Sequence, residues 1–350
     1  MSRQDFTVTR ATRASMVGTL LVAIVAAVLA AAPFWAGRDV LRLLIDLFMY
    51  LVLASLWNLL AGYAGLVSIG QQAFVGLGGY CLFALAALGG FSPLLGIPAA
   101  GLLGAVVAVP VAGVLFRLRG AYFAIGSWVM AEVFRLVASQ ISVLGGGSGT
   151  SLPVAVVTGI AHSRQGREFL VYWVALALAL AVLGAIVVLL RSRWGLALTA
   201  LRDNEMAARS FGIDVGRTKL LVFILAGGCT AMAGALLFLQ RLRISPDAAF
   251  SVNDWTVFVI FITVIGGIGR FEGPFLGTAL FFALRETLAD LGSAYLMILG
   301  LIAILVMLKA PRGVWGFIAE RTDLQILPLH RRVRRAGERA MPAEARKSLL

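Results

Sequence analysis

At 350 residues, 60% of them hydrophobic and only 13% charged, and with a mean hydropathy of +0.94, the chain holds far more apolar surface than a soluble domain can bury. That excludes a soluble enzyme and a disordered chain, and it implies an all-α, polytopic transmembrane helical bundle. The net charge of +13 gathers between and after the apolar runs, so it reports topology and attraction to the anionic inner leaflet rather than nucleic-acid binding.

A span needs about 20 apolar residues. Ten stretches qualify: 16–36, 40–60, 70–88, 94–116, 121–144, 169–190, 218–240, 254–268, 274–291 and 294–310. The third, fifth, eighth and ninth are short or interrupted, which leaves eight spans as the alternative. Residues 1–15 form a basic tail ahead of the first span. This start has the look of a signal peptide, basic and then apolar with small residues at Ala30 to Ala32. The length of the apolar run and the closeness of the next one favour a retained span.

Arg3, Arg10 and Arg13 precede the first span, Arg117 and Arg119 follow the fourth, and Arg191 and Arg193 follow the sixth. Arg312 and a cluster at Arg331, Arg332, Arg334 and Arg335 follow the last, within a basic tail of residues 311–350. With ten spans, the positive-inside rule puts all of these in the cytoplasm together with the 191–217 loop. Arg241 and Arg243 are among the exceptions and fall outside.

Two Gly-rich interruptions, 62–79 and 266–277, break the apolar pattern. Broken helices in corresponding positions of two halves point to repeats around a midplane site, although here the spacing does not align cleanly. Close helix packing is the other use of such glycines. Pro93, Pro98, Pro110 and Pro274 mark span starts or kinks. Ser68, Gln71 and Gln72 lie in the first interruption and are uncharged hydrogen-bonding groups suited to lining a passage.

Away from the span ends, ionisable groups are few: Asp46, Glu132, Arg135, Arg285 and Glu286. Each costs about 2.5 to 3.5 kcal/mol at a helix centre, so each must face protein or water. Glu132 and Arg135 share a helix face and either neutralise each other or line the passage. Arg285 and Glu286 are adjacent and need partners on other helices. The candidate passage set is therefore Ser68, Gln71, Gln72, Glu132, Arg135 and Glu286.

The polar segment LTALRDNEMAARSFGIDV, from Leu198 to Val215, stands between two long apolar spans. Asp203 or Asn204 can N-cap a short helix over 205–211, with Glu205 in its first turn, Arg209 in its last and Gly212 at a left-handed C′ position. Ala207, Ala208 and Phe211 are expected on one face, two small residues allowing close approach and one aromatic serving as a knob. So short a helix needs external support. It is either a docking helix for a soluble partner or an ordinary solvated loop.

The chain contains no G-x-x-x-x-G-K-[ST], and hence no Walker phosphate cradle. Cys81 and Cys229 sit in apolar runs with no disulfide spacing, and His162 and His330 stand alone, so no metal site is indicated.

The same polar segment and the span after it resemble the cytoplasmic loop of the branched-chain amino acid permeases of ABC importers. Further stretches resemble the family in the same order: NLLAGYAGLVSIGQQAFVGLGGY from Asn58, RLRGAYFAI from Arg117, GGIGRFEGPFLG from Gly266 and LKAPRGVWGFI from Leu308. The Ala-Ala-x-x-x-Gly core of the family's coupling loop is matched by Ala207, Ala208 and Gly212. Its Glu is displaced by one residue to Glu205, as in this family's own variant. The resemblance implies a coupling helix at Asp203, Asn204, Glu205, Ala207, Ala208, Phe211 and Gly212 that docks on an ATP-binding subunit.

It also implies a second related permease and an extracytoplasmic substrate-binding protein, with ATP bound by the partner subunits and no cofactor or catalysis in this chain. The substrate class implied is hydrophobic amino acids, with urea, short amides and small aromatic acids expected among relatives. Where the family often has His then Ala, this chain has Gln71 then Gln72, so specificity does not carry over directly. A secondary transporter or channel driven by an ion gradient is the main rival. A membrane-embedded enzyme is disfavoured by the lack of clustered catalytic groups.

Overall fold

A computed structural model describes residues 6–9, 22, 24–160, 163–288, 294–310, 313–322 and 332–335. The start of the first span, the end of the ninth, Arg3, Arg10, Arg13, Arg312, Arg331, His162 and His330 lie outside the described residues.

Seven helical stretches are long and apolar enough to cross a bilayer: Arg38–Tyr63, Pro93–Leu115, Ala121–Gln140, Arg164–Arg191, Val215–Arg241, Pro246–Gly266 and one beginning at Ala294. Two shorter apolar helices, α1 (Ile24–Phe34) and α3 (Gln71–Ala87), accompany them. The membrane helices in chain order are completed by α2 (Arg38–Asn58), α4 (Pro93–Leu115), α5 (Ala121–Gln140), α7 (Arg164–Arg191), α10 (Val215–Arg241), α12 (Phe258–Gly266), α13 (Gly273–Leu288) and α14 (Ala294–Lys309). Short helices α6 (Val154–Ile160), α11 (Pro246–Ala249) and α15 (Gly313–Thr322) lie between or after them.

Helix α10 is the axis of the bundle and packs most extensively against α4 and α3. The crossing is close because small residues face backbone: a side chain at Gly78 would strike the Ala231 carbonyl, and one at Gly234 the Val75 carbonyl. A second cluster joins α2, α12 and α13, where Tyr50 stacks on Trp255 at 6.0 Å and meets Phe281 and Phe282 at 5.6 and 5.8 Å.

The interrupted spans are broken as their glycines imply. A π turn at Leu59–Tyr63 ends α2, and irregular chain then leads to α3 at Gln71. Another π turn at Asn253–Val257 opens α12. The fifth span stops at Gln140 rather than at residue 144, and 142–144 forms a separate 3-10 turn. Strand β2 (Thr150–Ser151) pairs with β3 (Arg243–Ile244), tying the loop after α5 to the loop after α10. Strand β1 (Phe6–Thr9) pairs antiparallel with β4 (Arg332–Arg335), bringing the two tails together.

The 191–217 loop is more ordered than its sequence implies. Helix α8 (Arg193–Asp203) follows α7 after one capping residue, Ser192, and α9 (Glu205–Ser210) follows α8.

Candidate coupling surface and passage

Helix α9 is fixed at both ends by its own sequence. Asn204, not Asp203, is the N-cap: its extended backbone turns Oδ1 to accept the Ala207 N–H at 3.0 Å. Asp203 instead ends α8 and pairs with Arg202 at 3.3 Å. At the other end Gly212, at φ +79°, donates its N–H to the Arg209 carbonyl at 2.9 Å, and Ile213 donates to Ala208 at 3.1 Å. Those two bonds make a Schellman closure, which a residue with a Cβ at Gly212 would strain.

Glu205 sits between two cations, with Lys219 Nζ at 2.7 Å from one carboxylate oxygen and Arg209 Nη2 at 2.7 Å from the other. The hydrogen bond from Lys219, then its charge and the contact with Arg209, outweigh partial desolvation and hold the Glu205 carboxyl below the usual range. The ion pair to Lys219 also fastens α9 to the first turns of α10.

The face expected to hold Ala207, Ala208 and Phe211 together is split. Ala208 is buried in a small cluster with Leu201 and Val215 that seats α9 on its neighbours. Ala207 is exposed, and Phe211 is 87% exposed. Met206, which the sequence did not single out, is 80% exposed beside them. The outward surface is thus Met206, Ala207 and Phe211.

The two Gly-rich breaks, far apart in sequence, meet. Asn58 accepts the Gly269 N–H on Oδ1 at 2.7 Å and donates Nδ2 to the Arg270 carbonyl at 2.8 Å. A Cβ on Gly62 would strike the Gly269 backbone, so the two segments touch main chain to main chain. Arg202, at the end of α8, reaches the Gly269 carbonyl at 3.5 Å. The junction therefore borders the 191–217 loop. Asn58 entered the sequence reading only as the start of a family-like stretch, and neither its role nor its partner was legible there.

Of the expected passage residues, Ser68, Gln71 and Gln72 are all buried. The Ser68 carbonyl accepts Trp57 Nε1–H at 2.8 Å, and Gln71 donates to the Leu53 carbonyl at 2.9 Å. Gln72 Oε1 accepts from Thr256 Oγ1. The glutamines thus join α3 to α2 and to the π turn before α12. Gln71 Oε1 is buried and has no hydrogen-bond partner among the described residues.

Glu132 and Arg135 pair as their spacing implies, Arg135 Nε lying 2.8 Å from Glu132 Oε1, and Arg135 also holds Asp247 at 2.8 Å. Both remain partly open, with side chains 43% and 30% exposed. Glu286 is exposed near the end of α13 and is not joined to the other passage residues by any described hydrogen bond or ion pair. Arg241, one of the exceptions to the charge pattern, lies over the Trp255 ring at 4.9 Å in a cation–π contact. Among the described residues no group of His, Cys, Asp and Glu is placed to hold a metal ion, and Cys81 and Cys229 are free.

A model of the family described as the permease component of branched-chain amino acid transport systems matches residues 39–308. The chain is 29% identical over 304 residues to the high-affinity branched-chain amino acid transport system permease protein LivM of Escherichia coli, covering 81% of this chain and 71% of that one. It is 25% identical to the probable branched-chain amino acid transport permease protein LivM of Methanocaldococcus jannaschii, over 69% of this chain and 79% of that one. It is also 32% identical to the autoinducer 2 import system permease protein LsrC of Klebsiella pneumoniae, over 47% of this chain and 43% of that one. No solved structure matches.

Proposed function

The chain belongs to the branched-chain amino acid transport system permease family, and from that premise we propose that it is the membrane permease of an ABC importer for hydrophobic amino acids or a related small solute. It crosses the cell inner membrane ten times with both tails in the cytoplasm. The pairing of β1 with β4, which needs both tails on one side, supports an even number of crossings.

Helix α9 is the contact for an ATP-binding subunit. The observation that carries this reading is a short helix between α8 and α10, locked at both ends, that leaves Met206 and Phe211 exposed. Two large apolar side chains outside the membrane call for a protein surface to cover them. The sequence holds no Walker cradle, so ATP is bound and hydrolysed on partner subunits, and this chain makes and breaks no bond. Closure of those subunits shifts the permease between outward-open and inward-open states.

Glu132 and Arg135, partly open on a membrane helix, must face protein or water rather than lipid. That supports a second, related permease laid against α5, with the solute passing between the two chains near Glu132 and Arg135 and past Ser68, Gln71 and Gln72. Glu286 completes the proposed path. An extracytoplasmic binding protein delivers the solute. Relatives named for branched-chain amino acid, autoinducer 2 and ribose transport leave the solute to be set by this chain's own lining.

Purifying the tagged chain from its native membrane tests the assembly. Co-elution of an ATP-binding subunit is expected, and a permease that elutes alone under mild detergent opposes the reading.

A further inference from the structure

Between α9 and the turn joining α4 to α5 lies a cleft of ≈ 750 Å³ that neither the coupling helix nor the solute path accounts for. Its apolar floor includes Leu66, Phe116, Phe123 and Val215. Three cations, Arg119, Arg209 and Lys219, line it together with one carboxylate, Glu205. That carboxylate is already engaged on both oxygens by Arg209 and Lys219. Arg119 has no ion pair or side-chain hydrogen bond among the described residues, and its neighbour Arg117 has none either; both are exposed. Gly120, at φ +57°, turns the chain sharply after them and starts α5. One wall is Gly65 to Val67, the irregular chain that leads into Gln71, and Val67 is 49% exposed.

We propose that the 117–120 turn is a second contact for the ATP-binding subunit, and that the cleft receives a carboxylate-bearing, apolar segment of that subunit. This rests on the importer reading and extends it. The cleft is continuous with the α9 surface through Met206, which lines it and is 80% exposed. Its charge is unbalanced toward the positive, so an acidic side chain has Arg119 as a free partner, and an apolar neighbour has the aromatic floor. A segment seated there touches α9 and the wall of the first break at once. Movement of the ATP-binding subunit would then act directly on the chain entering α3, not only through the coupling helix.

The test uses the assembled importer in nanodiscs, one set of phosphatidylcholine alone and one with added phosphatidylglycerol. The double variant Arg117→Gln, Arg119→Gln removes both charges from an exposed turn. It should weaken retention of the ATP-binding subunit roughly tenfold in both lipid mixtures. A photo-crosslinker placed at Arg119 should recover a peptide of that subunit containing Asp or Glu. Unchanged retention, or a loss confined to anionic discs with crosslinks to lipid, overturns the proposal, the second outcome assigning the turn to headgroups. Phe211→Ala is run alongside. If it weakens retention while the double variant does not, only the second contact fails. If neither has an effect, the importer reading fails with it.

Discussion

Asn58 and Gly269 are joined side chain to main chain at 2.7 Å across 211 positions of sequence. The bond fastens the end of α2 to the break before α13, beside the last residues of α8. Asn58→Leu keeps the branched shape but leaves the Gly269 N–H without its partner and takes one of two donors from the Arg270 carbonyl, which still accepts from Gly273, at a cost of about 1 to 3 kcal/mol. Thermal unfolding of the purified permease should show the loss. A melting temperature equal to wild type would show that water replaces the amide without penalty.

Helix α9 should respond to substitutions according to which way each residue points. Phe211→Ala removes an exposed knob and should leave the permease folded while reducing recruitment of the ATP-binding subunit by about 2 kcal/mol or more. Ala207→Trp should act the same way by blocking close approach. Ala208→Trp, by contrast, forces a large ring into the Leu201 and Val215 cluster and should disorder α9 itself. Hydrogen exchange over 205–213 separates the two classes, and equal disorder in all three variants would contradict the assigned faces.

The pH response of α9 follows from Glu205. Its folded-state pKa is lowered, chiefly by the Lys219 hydrogen bond. The contribution is therefore complete above the unfolded value of about 4.3 and is lost as pH falls through the lower folded value. Exchange protection of α9 at neutral pH should exceed that of Glu205→Gln, with the gap closing in acid. A gap of the same size at both ends would mean that the carboxylate does not hold the helix.

The Arg135 cluster tests the passage. Replacing Glu132 alone, or Arg135 alone, leaves a charge without its near partner in a membrane helix, whereas the double change to Met and Leu removes both. Yield and uptake should be better in the double variant than in the Arg135 single. Asp247, the third member, makes the Glu132 single variant the milder of the two. Equal loss in all three variants would assign the two groups separate roles in transport.

The membrane class, the positions of the breaks and the caps of α9 were legible because each depends on local chemistry: apolar run length, glycines, and an Asn and a Gly at helix ends. What was not legible depends on tertiary placement. Ala207 and Ala208 look equivalent in sequence, and only the packing of α9 on Leu201 and Val215 turns one inward. Nothing in the sequence around Gln71 and Gln72 names Leu53 and Thr256, the groups to which their amides tie α3. Lys219 stands at the start of the seventh apolar stretch, and its bond to Glu205 appears only once α9 folds back over α10. Asp247 lies too far along the chain from Arg135 for any spacing rule to join them.

The orientation of these surfaces can be checked by labelling single cysteines at Ser163 and Ser210. Ser163 caps α7, and Ser210 closes α9. Ten crossings put Ser163 outside and Ser210 in the cytoplasm. Labelling of both from one side would contradict the ten-span topology and weaken the assignment of α9 to a partner subunit.

The central claim is that transport is driven by ATP through α9. Its most direct test is uptake of labelled leucine into proteoliposomes holding the assembled complex, with the binding protein outside, ATP inside and no ion gradient. The account predicts uptake that requires ATP and falls roughly tenfold or more in Phe211→Ala. Uptake that is indifferent to ATP and to this substitution, but rises with an imposed proton gradient, would contradict it.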